Sequence, residues 1–293
     1  MELRQLRYFL KAKELLNFTE AASRLHISQS TLSQQIKQLE EELGIDLFNR
    51  FGKRVTLTEA GMLFASYAEQ SLKSANDGRM LLKDLSNLNT GEIAIGITYG
   101  LRHVLTKTVI KFVKSYPKIK LNIFFGTSQE LEERLNNFSL DCILTFKEIN
   151  AESHFNHQLL FSSRMSVVAA RSTLKEKDSI SLKEVSKLLL VLPSTGYSPR
   201  DFIDRAFSEQ DLKPNVAVEI NDIPTLLELI RNTTWSTILT QVTIDDEQDL
   251  VAIPILGDQM LRNAMAVSLK GVYEKKAVKA FVDLFIRLIP SGQ

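Results

Sequence analysis

Short hydroxyl and amide side chains crowd one stretch of the sequence, QSTLSQQIK from Gln29 to Lys37. At helical spacing Leu32, Ile36, Leu39 and Leu43 fall on one face, which leaves Gln29, Ser30, Ser33, Gln34 and Lys37 elsewhere. A helix with such groups in its first two turns carries the donors and acceptors that read base edges and phosphates in a major groove. A solvated face on a small helical bundle would use the same residues, so this stretch alone leaves both readings open. The segment RFGKR follows, with Arg50, Lys53 and Arg54 around a tight turn at Gly52. Cations there would release counterions from a phosphate backbone and set docking register rather than base preference.

A second set of polar residues comes directly after apolar, β-branched runs: Thr98, Tyr99 and Gly100; Thr127, Ser128 and Gln129; Ser194, Thr195 and Gly196. In open α/β sheets ligands sit outside the carboxyl ends of strands, where hydroxyls and helix-start N–H groups suit a small anion or carboxylate. Arg102 and His103 are expected to add positive charge. For Thr127 and Ser128 the competing reading is a helix cap for QELEERL.

Catalytic chemistry has little to stand on. Of the four histidines only His154 and His157 are close, in HFNH, and that spacing lacks a third ligand or a HExxH glutamate. No nucleophile elbow, Walker loop or dinucleotide fingerprint is present. The single cysteine, Cys142, sits in the apolar run LDCILTF and reads as a buried strand thiol. Neighbouring acids such as Glu132, Glu133 and Asp245, Asp246 read as solvated surface. We expect no enzyme activity, no cofactor and no metal.

The elements that position these residues divide near residue 90. The 293 residues suggest two domains, and 44% hydrophobic with 24% charged residues is ordinary globular composition. Net charge is only +1. Residues 1–58 hold nine Lys/Arg against seven Asp/Glu, so any basic patch is local. No apolar run reaches the roughly 18 residues of a membrane span, and MELRQLRYFL lacks a signal-peptide core, so a cytoplasmic protein is expected. Before the break, Leu3, Leu6, Phe9, Leu10 and Leu16 mark a first helix. FTEAASRL forms a second with Thr19 as its N-cap, and Ser28 and Gly44 bound a third. Leu47 and Phe48 anchor a hairpin, after which a helix of about 30 residues carries Phe64, Ala68, Leu72, Ala75, Leu82 and Leu85 on one stripe. Such a helix exceeds what a small domain can bury, and pairing with a second copy is its expected use. SNLNTGE (Ser86 to Glu92) reads as the join. Beyond it, helical stretches alternate with strands expected at 92–98, 119–125, 140–146, 164–170, 187–193, 215–220, 235–240 and 264–269.

Residues 21–61, AASRLHISQSTLSQQIKQLEEELGIDLFNRFGKRVTLTEAG, resemble the winged helix-turn-helix signature of LysR-type transcriptional regulators. Chain length and the two-part layout are similar to the family's as well. Ser30 stands where the family usually has Pro. The resemblance implies an α/β protein with a winged helix-turn-helix at 1–58, a linker and dimerisation helix at 59–89, and a periplasmic-binding-protein-like effector domain at 90–293. That last domain would comprise one subdomain of 92–161 with 267–293 and another of 162–266. It implies Gln29, Ser30, Thr31, Ser33, Gln34, Gln35 and Lys37 in or near the major groove, with Arg50, Lys53 and Arg54 on the wing. Implied partners are double-stranded DNA, a small-molecule effector, a second copy through the linker helix, a homotetramer built from two dimers, and RNA polymerase. Trp235, Thr240 and Gln241 depart from the Gly and Leu-Pro that many members have, and LELIRNTTWSTILTQ is most similar to cyanate-operon regulators within the family. Two other classes stay open: a binding protein or enzyme with a degenerate DNA-binding head, and an architectural DNA-binding protein whose second domain only oligomerises.

Overall fold

The computed structural model describes residues 1–51, 54–84, 91–147, 154–173 and 177–289, in two compact units, 1–86 and 87–293. The first unit contains α1 (Leu3–Leu15), α2 (Phe18–Arg24), α3 (Gln29–Leu43), the antiparallel strands β1 (Phe48–Phe51) and β2 (Arg54–Leu57), and α4 (Glu59–Asp84). Leu6, Phe9, Ala21, Leu32, Ile36, Leu39, Ala65 and Ala68 close its core. The rings of Phe9 and Phe18 lie 5.5 and 5.4 Å from that of Phe48, which fastens the hairpin to the helices.

Local chemistry sets the boundaries. Asn17, rather than Thr19, caps α2, its side chain accepting from Thr19 N and Glu20 N, because the helix starts at Phe18. Ser28 caps α3, and Gly44 ends it at φ +69°. Leu3, Leu16 and Leu43 are exposed at helix ends, so the buried faces are shorter than the apolar pattern. Glu40 differs from its neighbours Glu41 and Glu42: it is buried, and its Oε1 accepts the N–H groups of Leu47 at 2.9 Å and Phe48 at 3.1 Å. Those are the amides at the base of the hairpin, so the acid satisfies chain that would otherwise be buried unpaired. The 26 residues of α4 span about 39 Å. Ala68 is buried and Phe64 and Leu72 half-buried, but Ala75 and Leu82 are exposed together with Met62, Leu63 and Tyr67. Leu85 and most of the expected join (Ser86 to Thr90) lie outside the described residues, while Gly91 and Glu92 already belong to a strand.

In the second unit the order is β3 (Gly91–Ile97), α5 (Arg102–Ser115), β4 (Ile119–Phe125), α6 (Ser128–Asn136), β5 (Cys142–Phe146), β6 (Phe155–Ala170), α7 (Leu182–Val185), β7 (Leu189–Pro193), α8 (Ser198–Glu209), β8 (Asn215–Ile220), α9 (Ile223–Arg231), β9 (Ser236–Thr240), β10 (Leu250–Pro254), β11 (Leu261–Leu269) and α10 (Lys276–Arg287). The sheet runs β4-β3-β5-β11-β6-β9-β7-β8, with β10 also paired to β6. It has two parallel halves: β3 between β4 and β5, and β7 between β8 and β9. Antiparallel β6 and β11 stitch the halves together, since β6 pairs with β11 over its first part and with β9 and β10 over its second. Helices cover both faces of each half. Ile95, Phe112 and Phe281 pack on one side of the first half and Leu131, Ile143 and Met265 on the other. In the second half, successive residues Val167 and Val168 enter opposite clusters, as strand alternation demands.

The expected strands form with end shifts, and two segments were not anticipated: Phe155–Ser163, which doubles the length of β6, and β10. FNHQLLFSSR mixes Asn, His, Gln and Ser into its run, which masks the alternation. His154 precedes β6 and His157 lies within it; both rings contact that of Phe155, and His154 Nε2 lies 2.7 Å from Asn136 Oδ1 of α6. Among the described residues no group of three or more His, Cys, Asp or Glu side chains is placed to hold a metal ion, and no helix is long and apolar enough to cross a membrane.

Cys142 is buried in β5, and burial pushes its thiol up to about 12. At pH 7.5 the thiolate fraction is then about 3 × 10⁻⁵, against about a tenth for a free thiol. The native protein is expected to react with Ellman's reagent at least about 100-fold more slowly than the urea-unfolded chain. Equal rates in a stopped-flow comparison would mean the strand opens readily.

Candidate functional site

The first half of α3 presents its polar side chains outward. Gln29, Ser30, Thr31, Gln34 and Lys37 are exposed, and Ser33 and Gln35 half-buried. The hydroxyls form a local network: Ser28 Oγ lies 2.8 Å from Ser30 Oγ and 2.7 Å from Thr31 Oγ1, and Gln29 Nε2 donates to Ser33 Oγ at 2.8 Å. Gln35 Nε2 donates to Gln38 Oε1 at 2.9 Å, and Lys37 lies 3.5 Å from Glu41. These partners are polar side chains of α3 and its cap, whose donors and acceptors are of the kind that base edges and phosphates also engage. Lys53 lies outside the described residues; the backbone of Arg50 and Arg54 is part of the hairpin, with Phe51 opposite Arg54.

In the second unit the strand ends converge on one cavity of about 470 Å³, a volume typical of small-molecule sites. Thr98 follows β3, Gly126 to Ser128 follow β4 and Phe146 ends β5; Tyr197 to Pro199 follow the β7 turn, Asn221 and Asp222 follow β8, and Thr240 ends β9. All six parallel strands thus contribute at their carboxyl ends, the position that open α/β sheets use for ligands. Tyr99, Phe125, Phe146, Tyr197, Pro224 and Leu239 supply apolar wall, and Arg102, Glu130 and Asp222 are its charged members.

Of the residues singled out from the sequence, Thr98, Tyr99, Gly100, Arg102, Thr127 and Ser128 line this cavity. Gln129, Ser194, Thr195 and Gly196 do not. Gln129 turns along α6 to Glu133, at 3.1 Å, and the Ser194–Gly196 turn is folded on itself, with Gly196 N donating to Asp201 Oδ1 and Tyr197 N to Ser194 O. The wall is instead formed by the residues just beyond that turn. His103 is also absent from the wall: its ring contacts Asp246 and Lys107, and burial together with the Lys107 charge lowers its pKa. Thr127 caps α6, its side chain accepting from Glu130 N, and it also lines the cavity.

The interior is arranged to receive acceptors. Thr98 Oγ1 is closed off from solvent and has no partner among the described residues. The short helix at Tyr99–Leu101 and α8 both start beside the cavity without a side-chain cap; in α8 Pro199 has no N–H and Arg200 N and Asp201 N donate to Tyr197 O, so Ser198 N is the N–H left for a ligand. Ser198 Oγ donates to Phe146 O at 3.0 Å and accepts from Arg262 Nη2 at 2.6 Å. Arg262 is itself buried, with its guanidinium over the rings of Phe146 and Phe202 at 5.6 and 5.0 Å. Phe146, Asn221 and Asp222 were missed because they come from the ends of strands and a helix start with no glycine or hydroxyl cluster to draw the eye, the Asp-x-Pro start of α9 being the available signal; Ser198 lies two residues beyond the Ser194–Gly196 cluster, and Thr240, noted for its departure from the family pattern, also lines the cavity.

Residues 3–62 match the model of the bacterial regulatory helix-turn-helix proteins of the lysR family, and residues 86–289 match the LysR substrate binding domain. The regulator BsdA of Bacillus subtilis is 27% identical over 97% of this chain and all of its own length, and YwqM of the same organism is 31% identical over 84% of this chain and 85% of its own. Among solved structures, a full-length OxyR variant from Pseudomonas aeruginosa superimposes with a TM-score of 0.78 at 23% identity, covering 97% of this chain and 94% of that one. With a winged helix-turn-helix in one unit, a two-halved α/β sheet around a cavity in the other, and both family models matched in order, the chain belongs to the LysR family of transcriptional regulators.

Proposed function

We propose that the protein binds specific DNA through α3 and alters transcription when a small-molecule effector, an anion or carboxylate, occupies the cavity. The observation that carries the DNA reading is the exposed hydroxyl and amide surface on the first two turns of α3. In this reading Gln29, Ser30, Thr31, Ser33, Gln34, Gln35 and Lys37 face the major groove, and Arg50, Lys53 and Arg54 hold phosphates from the wing. Residues 1–58 act as the DNA-binding domain, 59–89 as the linker helix and 90–293 as the effector domain, with subdomains 92–161 plus 267–293 and 162–266. The exposed Met62, Leu63, Tyr67 and Leu82 support pairing of two copies through α4. A solved relative of like fold, CbnR, is complexed with its target DNA. The protein works in the cytoplasm as a homodimer or homotetramer beside RNA polymerase and catalyses no reaction. An effector carboxylate would meet Thr98, the uncapped helix starts and Ser198 with Arg262 behind it, and its occupancy would bias one arrangement of the oligomer over another.

Fluorescence anisotropy on duplexes tiling the DNA upstream of the gene, against random duplex at two salt concentrations, tests this. Ser33→Ala is expected to cut discrimination about tenfold, and Arg54→Ala to weaken all duplexes alike and reduce the salt slope by about 1. Binding that never distinguishes one duplex from another, with or without added carboxylates, would sink the regulator reading.

A further inference from the structure

Resting on the reading of the cavity as the effector site, one feature of its mouth is unused: its charged lining is one cation against two anions, Arg102 against Glu130 and Asp222. Arg102 is engaged, donating to Tyr99 Oη at 2.8 Å with its guanidinium over the Tyr99 ring. The two acids are helix caps. Glu130 Oε2 accepts Thr127 N and Oγ1, and Asp222 Oδ2 accepts Thr225 N and Oγ1. Each cap uses a single oxygen, which leaves Glu130 Oε1 and Asp222 Oδ1 without a partner among the described residues. Capping needs no charge, since Gln closes a capping box and Asn caps a helix about as well as Asp. The negative charge is therefore surplus to the fold, and both carboxylates line the same cavity as Tyr197, whose phenol pKa is raised by burial and then by the charges of Glu130 and Asp222. The bonds from the Thr225 hydroxyl and N–H lower the pKa of Asp222.

The inner end has the opposite character, with the partnerless Thr98 hydroxyl, two uncapped helix starts and the Arg262 guanidinium on Ser198. An acid lodged there would leave the mouth carboxylates facing its other end. We propose that the effector is a zwitterion, an amino acid or similar amine-bearing carboxylate, whose carboxylate turns inward to the Thr98 hydroxyl and the Ser198 N–H and whose ammonium group is held at the mouth by Glu130 and Asp222. The apolar body packs on Tyr99 and Phe125.

Matched pairs of probes test this on the full-length protein by calorimetry: phenylalanine against 3-phenylpropanoate, leucine against 4-methylpentanoate, and so on through the amino acids and their des-amino acids. For at least one pair the amino form is expected to bind about tenfold or more tightly than its partner. The double substitution Glu130→Gln, Asp222→Asn, which keeps both caps and is checked for folding by its unliganded melting temperature, is expected to bring the amino form down to the affinity of its partner. Des-amino acids that bind as tightly as the amino forms, or a margin that survives the double substitution, would overturn the zwitterion and leave the cavity a carboxylate site. Binding by no member of any pair would remove the carboxylate reading itself.

Discussion

Gly61→Ala is expected to lower the stability of the first unit by about 3 kcal/mol, an overpacking cost at the upper end of the usual range. A Cβ on Gly61 would lie 2.2 Å from Leu47 O and 2.9 Å from Leu57 Cδ2. Leu47 O cannot withdraw freely, because it accepts Thr58 N at 3.0 Å while Leu47 N is held by Glu40. The first turn of α4 and the hairpin base would have to separate, breaking the contacts that fix the wing beside α3. For a domain of this size the loss corresponds to a fall in melting temperature of roughly 10–20 °C, readable by far-UV circular dichroism, with DNA affinity falling alongside. A melting temperature within about 2 °C of the parent would show that the close approach is relieved cheaply.

Lys275→Ala should destabilise the second unit by about 3–5 kcal/mol, since removing one partner of a buried ion pair strands the other. Lys275 Nζ donates to Asp141 Oδ2 at 2.9 Å and to Glu92 O at 3.2 Å, with both side chains about 10% exposed. Asp141 Oδ2 also accepts Ala94 N, so the pair ties the start of α10 to β3. Combining Lys275→Met with Asp141→Asn keeps an acceptor for Ala94 and removes both charges, and should recover most of the loss. Urea unfolding followed by the single tryptophan, Trp235, reports on this unit specifically. If the single and double variants unfold at the same urea concentration, the pair contributes through packing and not charge.

The N-terminal unit was legible because its signals are local: caps, i to i+4 apolar spacing and a polar helix start all lie within a few residues of the groups they position. Glu40 escaped because its buried role depends on a chain reversal that brings Leu47 and Phe48 back to it, and three consecutive glutamates read alike until one is folded over. In the second unit strands were legible where β-branched runs were pure, and were lost where polar residues interrupt them, as in the first part of β6. The cavity was half legible. Thr98 and Thr127 stand at strand ends marked by hydroxyls, but Phe146, Asn221 and Asp222 reach the same place through sheet order, a long-range property that spacing does not encode. Arg262 belongs to a strand far along the chain, and nothing near it in sequence hints that it would support Ser198.

The two strands that stitch the sheet halves together limit how an occupied cavity can be felt elsewhere. The halves meet where β6 leaves β11 at Arg164 and joins β9 at Met165, at one end of the ladder that runs from Phe155 opposite Leu269 to Arg164 opposite Leu261. A twisted two-stranded ribbon is stiff to stretching and soft to torsion, and this one carries a register shift between Ala264 and Met265, where extra twist is easily absorbed. Effector occupancy should therefore reach the rest of the molecule as a rotation of a few degrees about the ribbon axis, a small angle that an oligomer of long helices would convert into ångströms at its far ends.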